Sequence, residues 1–369
     1  MFLPTLRSGK RRTQLLVLAA LAATITAVFT LRSMRGDGVT LVSSTVYDRR
    51  EVSPIPSFHV VSAFHRDEGE AGLENYIDTK LIALKHDLPN APDSKSWPRK
   101  IFQVLRTRKD TRYAEPMKTW LIANPDYEQI IIDAASAETF VKTTFKSVPE
   151  LVQIYLSIPD PVFKADILRY LLLYVHGGVY ADANVYCRKP IADWIPSSLW
   201  GSDSDVVVGV AADEPYLSTQ TLRDWGWHRP YEIAQFVIAA KPFARPIRVA
   251  IARAVAYAIR LRQRQQSSRG FFKLSSYVAR DIYEVSGPGM WTDVLIDAMS
   301  YRRAELSWSH FHEMAEPIRV PTETSAVIVL PVSYFGNGQK HSGAGDYKVP
   351  ESCVTNFQAM SPKRNNWFL

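Results

Sequence analysis

The sequence predicts an α/β fold with a mostly parallel sheet, set behind an N-terminal transmembrane helix. Three observations carry this reading. From about residue 97 onward, short apolar runs alternate with helical patterns, as βαβ units do. One long apolar helix ends in a glycine pair and passes at once through a short strand into an acidic loop, all within residues 161–184. Finally, Lys10, Arg11 and Arg12 precede an apolar run that Arg32 and Arg35 close.

The apolar run gives the chain its order. Residues 1–12 read as a cytoplasmic tail, 13–31 as a single-pass anchor, 32–96 as a stem and 97–369 as a lumenal globular domain. The anchor is about 18 residues long, near the lower limit for a spanning helix. The basic excess on its N-terminal side keeps that side cytoplasmic, and so short a span fits the thinner early-secretory membranes. Ala20 to Ala22 resemble a signal-peptide cleavage site, but they lie inside the apolar run rather than after it, which favours a retained anchor. The stem contains a charged helical part at 67–86, punctuated by Pro89 and Pro92.

Within the globular part, residues 100–105 read as a strand, 115–123 as a helix broken by Asn124-Pro125-Asp126, 129–132 as a strand and 137–144 as a helix. The helix at 161–175 places Val162, Ala165, Leu168, Leu172 and Val175 on a core stripe. Pro161 suits its first turn, and Gly177 and Gly178 suit its end. A strand at 179–181 delivers Asp182 to a loop. A buried strand at 205–210, a helix at 246–261 and a late strand at 326–330 complete the pattern.

Composition narrows the function. The 369 residues are 46% hydrophobic and 22% charged, ordinary for a globular chain. The net charge of +7 is scattered, densest at Arg260, Arg262, Arg264 and Arg269. With no aromatic-interleaved basic stretch, a nucleic-acid partner is disfavoured, while a mild positive excess suits an enzyme that handles diphosphates. The two cysteines, Cys187 and Cys353, leave a lumenal disulfide and two free buried thiols equally open.

The chemistry concentrates at Lys164 to Pro190, KADILRYLLLYVHGGVYADANVYCRKP. Asp166 and Arg169 are three apart and share a helix face. The glycine pair allows close backbone approach. Asp182 and Asn184 follow at two-residue spacing, beyond the C-terminal end of a strand, where open α/β sheets form ligand crevices. Oxygen donors there suit a divalent cation bridging a nucleotide diphosphate. Taken singly the residues have plainer readings: a surface ion pair worth under about 1 kcal/mol for Asp166 and Arg169, a turn cap for Asp182.

At this stretch the chain resembles glycosyltransferase family 32, most closely the fungal Golgi initiation-specific α-1,6-mannosyltransferases. The resemblance runs from about Trp97 to Lys348. It includes PRKIFQ at Pro98 to Gln103, Trp120 with NPDYE at Asn124 to Glu128, SGPGMWTD at Ser286 to Asp293, and His341 with Gly345 and Lys348. It implies a GT-A fold, a Rossmann-like nucleotide-binding sheet. It implies retaining transfer of mannose from GDP-mannose, with Mn2+ as cofactor, to a glycan acceptor, in α-1,6 linkage to an N-glycan core. It also implies residence in the Golgi membrane as a type II protein, and membership of a Golgi enzyme complex. Carried over, Asp182 and Asn184 are the outer members of an Asp-x-Asp metal motif and His341 a metal or diphosphate ligand. Asp166, Arg169 and Gly178 join Asp182 in binding the donor, with Asp182 and Arg169 as the catalytic pair.

One departure bears on activity. The motif reads Asp182-Ala183-Asn184, so an amide replaces the second carboxylate and metal affinity falls. Two alternatives follow: a mannosyltransferase acting on inositol phosphoceramide, a glycolipid acceptor, and a catalytically silent lumenal partner with the same fold. Weaker site candidates are His310 and His312 flanking Phe311 as an acceptor groove, and Trp225, Trp227 and His228 as a sugar-stacking loop. His176 reads as a helix C-terminal residue satisfied by the dipole.

Overall fold

The computed structural model describes residues 68–89, 91–200, 203–225, 229–267, 279–301, 306–338, 342–346 and 348–356. The expected tail and anchor, residues 1–31, lie outside them, and so does His341. No helix among the described residues is long and apolar enough to cross a membrane.

The chain begins with helix α1 (Glu68–Asp87). It continues through β1 (Lys100–Val104), α2 (Ala114–Ala123), β2 (Glu128–Ile132), α3 (Ala134–Thr144), α4 (Pro149–Ser157) and α5 (Pro161–His176) to β3 (Gly178–Ala181) and β4 (Tyr186–Cys187). The second half runs β5 (Val206–Asp213), α6 (Thr219–Trp225), β6 (Tyr231–Ile233), β7 (Val237–Ala240), α7 (Arg245–Ser267), α8 (Ala279–Val285) and α9 (Pro288–Met299). It closes with β8 (Ile318–Pro321), β9 (Ala326–Leu330), α10 (Val332–Phe335) and β10 (Val354–Thr355).

The main sheet has the order β2-β1-β3-β7-β5-β9-β8, with β6 attached to β5. β1 pairs parallel with β2 and β3, and β5 pairs parallel with β9. β7 runs antiparallel between β3 and β5, so β2, β1, β3, β5 and β9 share one direction while β6, β7 and β8 oppose it. The sheet is therefore mixed, mostly parallel in strand direction. Both faces are covered. Val206, Val208 and Val210 of β5 join Phe102, Tyr180, α5, α7 and α9 in one core. The alternate residues Val207 and Ala211 join Ile101, Val179, Ala181, Trp120, Trp194 and Phe335 in a second. Double coverage explains why β5 and β9 read as unbroken apolar runs.

Helix α5 begins as its sequence requires. The Asp160 carboxylate accepts from the N–H groups of Val162 and Phe163 at 2.8 and 3.2 Å, a cap worth about 1 kcal/mol. Pro161 occupies the first turn. The expected core stripe is too narrow, however. Ile167, Tyr170, Leu171 and Leu173 are as buried as Leu168 and Leu172, because the sheet covers one side and α7 another. A helix apolar on all sides belongs in the centre of a fold.

The stem expectation also needs correction. Ile77, Leu81 and Leu84 of α1 are at most 1% exposed and belong to the main core. Tyr174 of α5 donates to the Leu81 carbonyl at 2.7 Å, and Arg248 and Arg253 of α7 reach Asp78 and Glu74 at 2.7 and 3.4 Å. The core therefore starts upstream of residue 97. Two of the charged positions in that segment, Glu74 and Asp78, are ion-pair partners of α7.

Candidate active site

The turn from α5 into β3 depends on its glycines. Gly177 and Gly178 have φ of +62° and +95°, and added Cβ atoms would meet Pro242 at 2.5 Å and the Lys100 carbonyl oxygen at 2.6 Å. Gly178 thus sits at the start of β3, against β1. Asp182 lies beyond the other end, about 13 Å away at strand rise. Gly178 was expected in the donor site; packing against Lys100 accounts for it instead.

At the far end of β3 four side chains converge. Asp166 and Arg169, on one face of α5, are 4% and 5% exposed, so they are not the surface pair of the plain reading. Arg169 Nη2 donates to Asp166 Oδ1 at 2.6 Å, Nη1 donates to the Gln235 carbonyl at 3.0 Å, and Nη1 lies 3.5 Å from Asp182 Oδ1. The guanidinium carbon stands 4.8 Å from the centre of the Tyr180 ring. Tyr180 in turn donates its hydroxyl to Asp182 Oδ1 at 2.7 Å. Arg169 Nε is buried without a hydrogen-bond partner.

Asp166 is held from a second side by Ser286, whose hydroxyl donates to Oδ2 at 3.0 Å. Burial pushes the Asp166 carboxyl up to about 6, while Arg169 and the Ser286 hydroxyl pull it back. Ser286 opens the Ser-Gly-Pro-Gly turn into α9. The Gln235 amide clamps that turn by donating to the Ser286 carbonyl and to the Tyr170 hydroxyl, each at 2.6 Å. Ser286, the first residue of the sequence motif at 286–293, therefore helps to fix Asp166 and, through it, Arg169, while Asp293 at the other end pairs with Arg229 at 2.7 Å. Both Asp166 oxygens accept hydrogen bonds inside the protein, so the carboxylate holds Arg169 in place.

Asp182 keeps its side chain 30% exposed. Residues 182–185 form a turn closed by the Val185 N–H donating to the Asp182 carbonyl at 3.0 Å. Asp182 and Asn184 are half-buried while Ala183 and Val185 are buried, so the two polar residues of the motif keep some access to solvent. Asn184 Nδ2 lies 3.5 Å from Asn356 Oδ1. Asn356 follows β10, which pairs antiparallel with β4, so the C-terminal strand closes over the motif.

Tyr180, Gln235 and Asn356 were not expected from sequence, since each gains its role through a partner 50 or more residues away or through a strand neighbour. Only Tyr180, two residues before Asp182 on the same strand face, carried a usable signal. Among the other candidates, His310 caps its own short helical turn by bonding Ser307, whereas His312 reaches Asp213 at 2.9 Å. Trp227 and His228 lie outside the described residues. His176 packs between Phe102 and Phe140. Burial lowers it to about 4, so it is neutral rather than a cation on the helix dipole. Cys187 and Cys353 are both free and buried, and burial raises their thiols to about 11 and 12.

As for a cation, no group of three or more His, Cys, Asp or Glu among the described residues is placed to hold one. Asp182 and Asn184 supply hard oxygen donors only. Such a pair fits a magnesium- or manganese-type ion that arrives with a diphosphate, and does not fit a closed protein cage.

A buried Asp–Arg pair thus stands beside an acidic turn at the C-terminal edge of an α/β sheet, where such sheets bind ligands. Residues 110–200 match the family described as glycosyltransferase sugar-binding region containing DXD motif. The chain is homologous to fungal initiation-specific α-1,6-mannosyltransferases. It is 29% identical to that of Schizosaccharomyces pombe, over 72% of this chain and 64% of the relative, and 26% identical to that of Candida albicans, over 70% of each. It is 30% identical to the putative glycosyltransferase HOC1 of Saccharomyces cerevisiae, over 58% of this chain and 52% of the relative. The chain thus spans between half and about two thirds of these relatives' length. The solved PaToxG glycosyltransferase aligns with a TM-score of 0.37 at 14% identity, over 62% of this chain and 78% of that one.

Proposed function

We propose that the chain is a retaining mannosyltransferase of GT-A type that moves mannose from GDP-mannose to a glycan, in α-1,6 linkage to an N-glycan core. The observation that carries this is the Asp166–Arg169–Asp182–Tyr180 cluster, which holds a partly exposed carboxylate beside a fixed cation at the ligand edge of the sheet. The homologues named as α-1,6-mannosyltransferases support the sugar and the linkage.

In this reading Asp182 and Asn184 would hold Mn2+, with His341 as a further candidate ligand. The cation, when bound, supplies positive charge against the departing diphosphate. The protein's own residues do the rest. Tyr180 and Arg169 fix the Asp182 carboxylate so that its second oxygen faces the site. The buried guanidinium places a permanent charge where negative charge develops, in surroundings that strengthen it. Asp166 and Ser286 prevent it from swinging away. The acceptor hydroxyl attacks from the leaving-group face and the diphosphate takes its proton. Asp166 is bonded on both oxygens, and the open oxygen of Asp182 is the one offered to the cation, so this route calls on neither as base or nucleophile.

The protein resides in the Golgi membrane, anchored through residues 13–31 with the domain lumenal, alone or within a complex of glycosyltransferases. A second reading, a catalytically silent partner, rests on one observation: Asn184 removes a charge from the motif. Incubating the protein with GDP-mannose and Mn2+ and measuring released GDP separates the two. Release that depends on Asp182 supports the enzyme. Absence of release from GDP-mannose across divalent cations supports the silent relative.

A further inference from the structure

A second polar cluster stands at the same edge of the sheet and takes no part in the donor site. Asp213, at the end of β5, has its side chain only 2% exposed. Its carboxylate accepts from Trp308 Nε1 at 2.7 Å, from the Glu313 backbone N–H at 2.8 Å and from His312 Nδ1 at 2.9 Å. A carboxylate facing Nδ1 places an imidazole proton there and leaves Nε2 to meet a ligand. The ring of Tyr216, 43% exposed, meets the His312 ring edge-on with centroids 5.6 Å apart. Trp308 is fully packed, stacked on Tyr231 at 4.5 Å, so the imidazole stands on a rigid base.

Its location follows from strand register. Gly178 and Val206 both lie opposite Ala240, so Val210 is level with Asp182 and Asp213 lies three residues further out. With β7 between the strands, the two carboxylates are on the order of 10–15 Å apart. Trp308 and Phe311 belong to the same core as Tyr180 and α5, which puts Asp213 and His312 on the Arg169 side of the sheet. β5 and β6 thus rise past the sheet edge as a wall beside the donor site, one sugar ring or two away. Among the described residues, the charged neighbours of His312 and Tyr216, Asp213 by contact and Glu214 and Glu313 by sequence, are acidic.

We propose that His312 and Tyr216 form the acceptor subsite, His312 binding a hydroxyl of a neutral glycan and Tyr216 packing against its ring, with Asp213 as the positioning residue. This rests on the glycosyltransferase reading above and deepens it. An aromatic face plus one anchored polar atom is how proteins hold a pyranose, which has an apolar face and hydroxyls at its rim. The acidic surroundings disfavour an acceptor that carries a phosphate close to the reacting hydroxyl, so a neutral glycan is preferred over a phosphoinositol headgroup.

The test needs no donor. The full chain is titrated by calorimetry with an α-linked oligomannoside and, separately, with inositol phosphate. The expected result is oligomannoside binding at millimolar concentration or tighter, weakened about tenfold by His312→Asn and by Tyr216→Ala, with unchanged melting temperature for the exposed Tyr216 variant. His312→Gln, which restores a polar atom near the Nε2 position, recovers part of the loss, as a purely packing role would not. Asp213→Asn weakens binding because an amide cannot accept from Trp308, His312 and the Glu313 N–H together, which loosens the imidazole that Asp213 holds. Unchanged affinity in His312→Asn and Tyr216→Ala would overturn the proposal, as would an unmodified protein that binds no oligomannoside, or inositol phosphate binding more tightly through the same residues. A protein that binds oligomannoside through these residues but releases no GDP from GDP-mannose would count against the transferase reading and not against the subsite.

Discussion

Asp182 is held by a tyrosine hydroxyl and a buried arginine, and it is the only carboxylate of its motif. Asp182→Ala is expected to lower turnover by about 10²-fold or more, the scale on which electrostatic transition-state contacts are lost, with little change in melting temperature because the side chain is partly exposed. Asp166→Ala removes the nearer of the two carboxylates that hold Arg169 and should lower turnover as well as cost about 3 kcal/mol of stability, read from denaturant or thermal unfolding. Asn184→Asp is expected to lower the manganese concentration for half-maximal activity, since a charged oxygen gains more from a divalent cation than an amide does. Identical metal dependence in the two proteins would remove residue 184 from the cation site. At this scale the sequence singled out Asp166 and Arg169 by helical spacing and Asp182 by its place beyond a strand, while the contact between Arg169 and Asp182 comes from packing α5 on β3. It did not show Gln235, Ser286 as the partner of Asp166, or Asn356, because those contacts arise only when β7, α9 and β10 are assembled.

Helix α1 carries the clearest consequence among the elements. Its buried Ile77, Leu81 and Leu84 and its ion pairs to Arg248 and Arg253 make it part of the core. A fragment beginning at residue 97 should therefore be insoluble or melt well below one beginning near residue 67, and Leu81→Ala should cost about 2–5 kcal/mol. Equal melting of the two fragments would restore the stem assignment. The charged surface of α1 hid this role in the sequence, since ion pairs to α7 look like solvated positions until α7 is seen. The strands β1, β2, β3, β5 and β9 were legible as apolar runs, and α5 by its cap, its length and its terminal glycines. The antiparallel β7 was not legible: residues 237–240 are apolar but carry no mark of direction, and strand direction is set by the connection, not by composition.

Across the whole molecule, pH and membrane attachment can each be tested. His176 is held near 4 by burial, against about 6.5 when exposed. The unfolded chain therefore binds the extra proton first, and stability falls as pH drops from about 6.5 to 4. Asp166, raised by burial, runs the other way over the same range. His176→Phe should flatten the His176 part of the pH dependence of melting, and an unchanged profile would show that the imidazole does not titrate alone. If residues 13–31 anchor the chain, alkaline-carbonate extraction should leave the intact protein in the membrane pellet.

The central claim is that the cluster around Asp182 is a donor site for a nucleotide sugar. Its most direct measurement is GDP released from GDP-mannose with Mn2+, made side by side on the unaltered protein and on Asp182→Ala of equal melting temperature. The expected result is release by the first and loss of about 10²-fold or more in the second. Equal release by the two proteins would place the chemistry elsewhere and contradict the account.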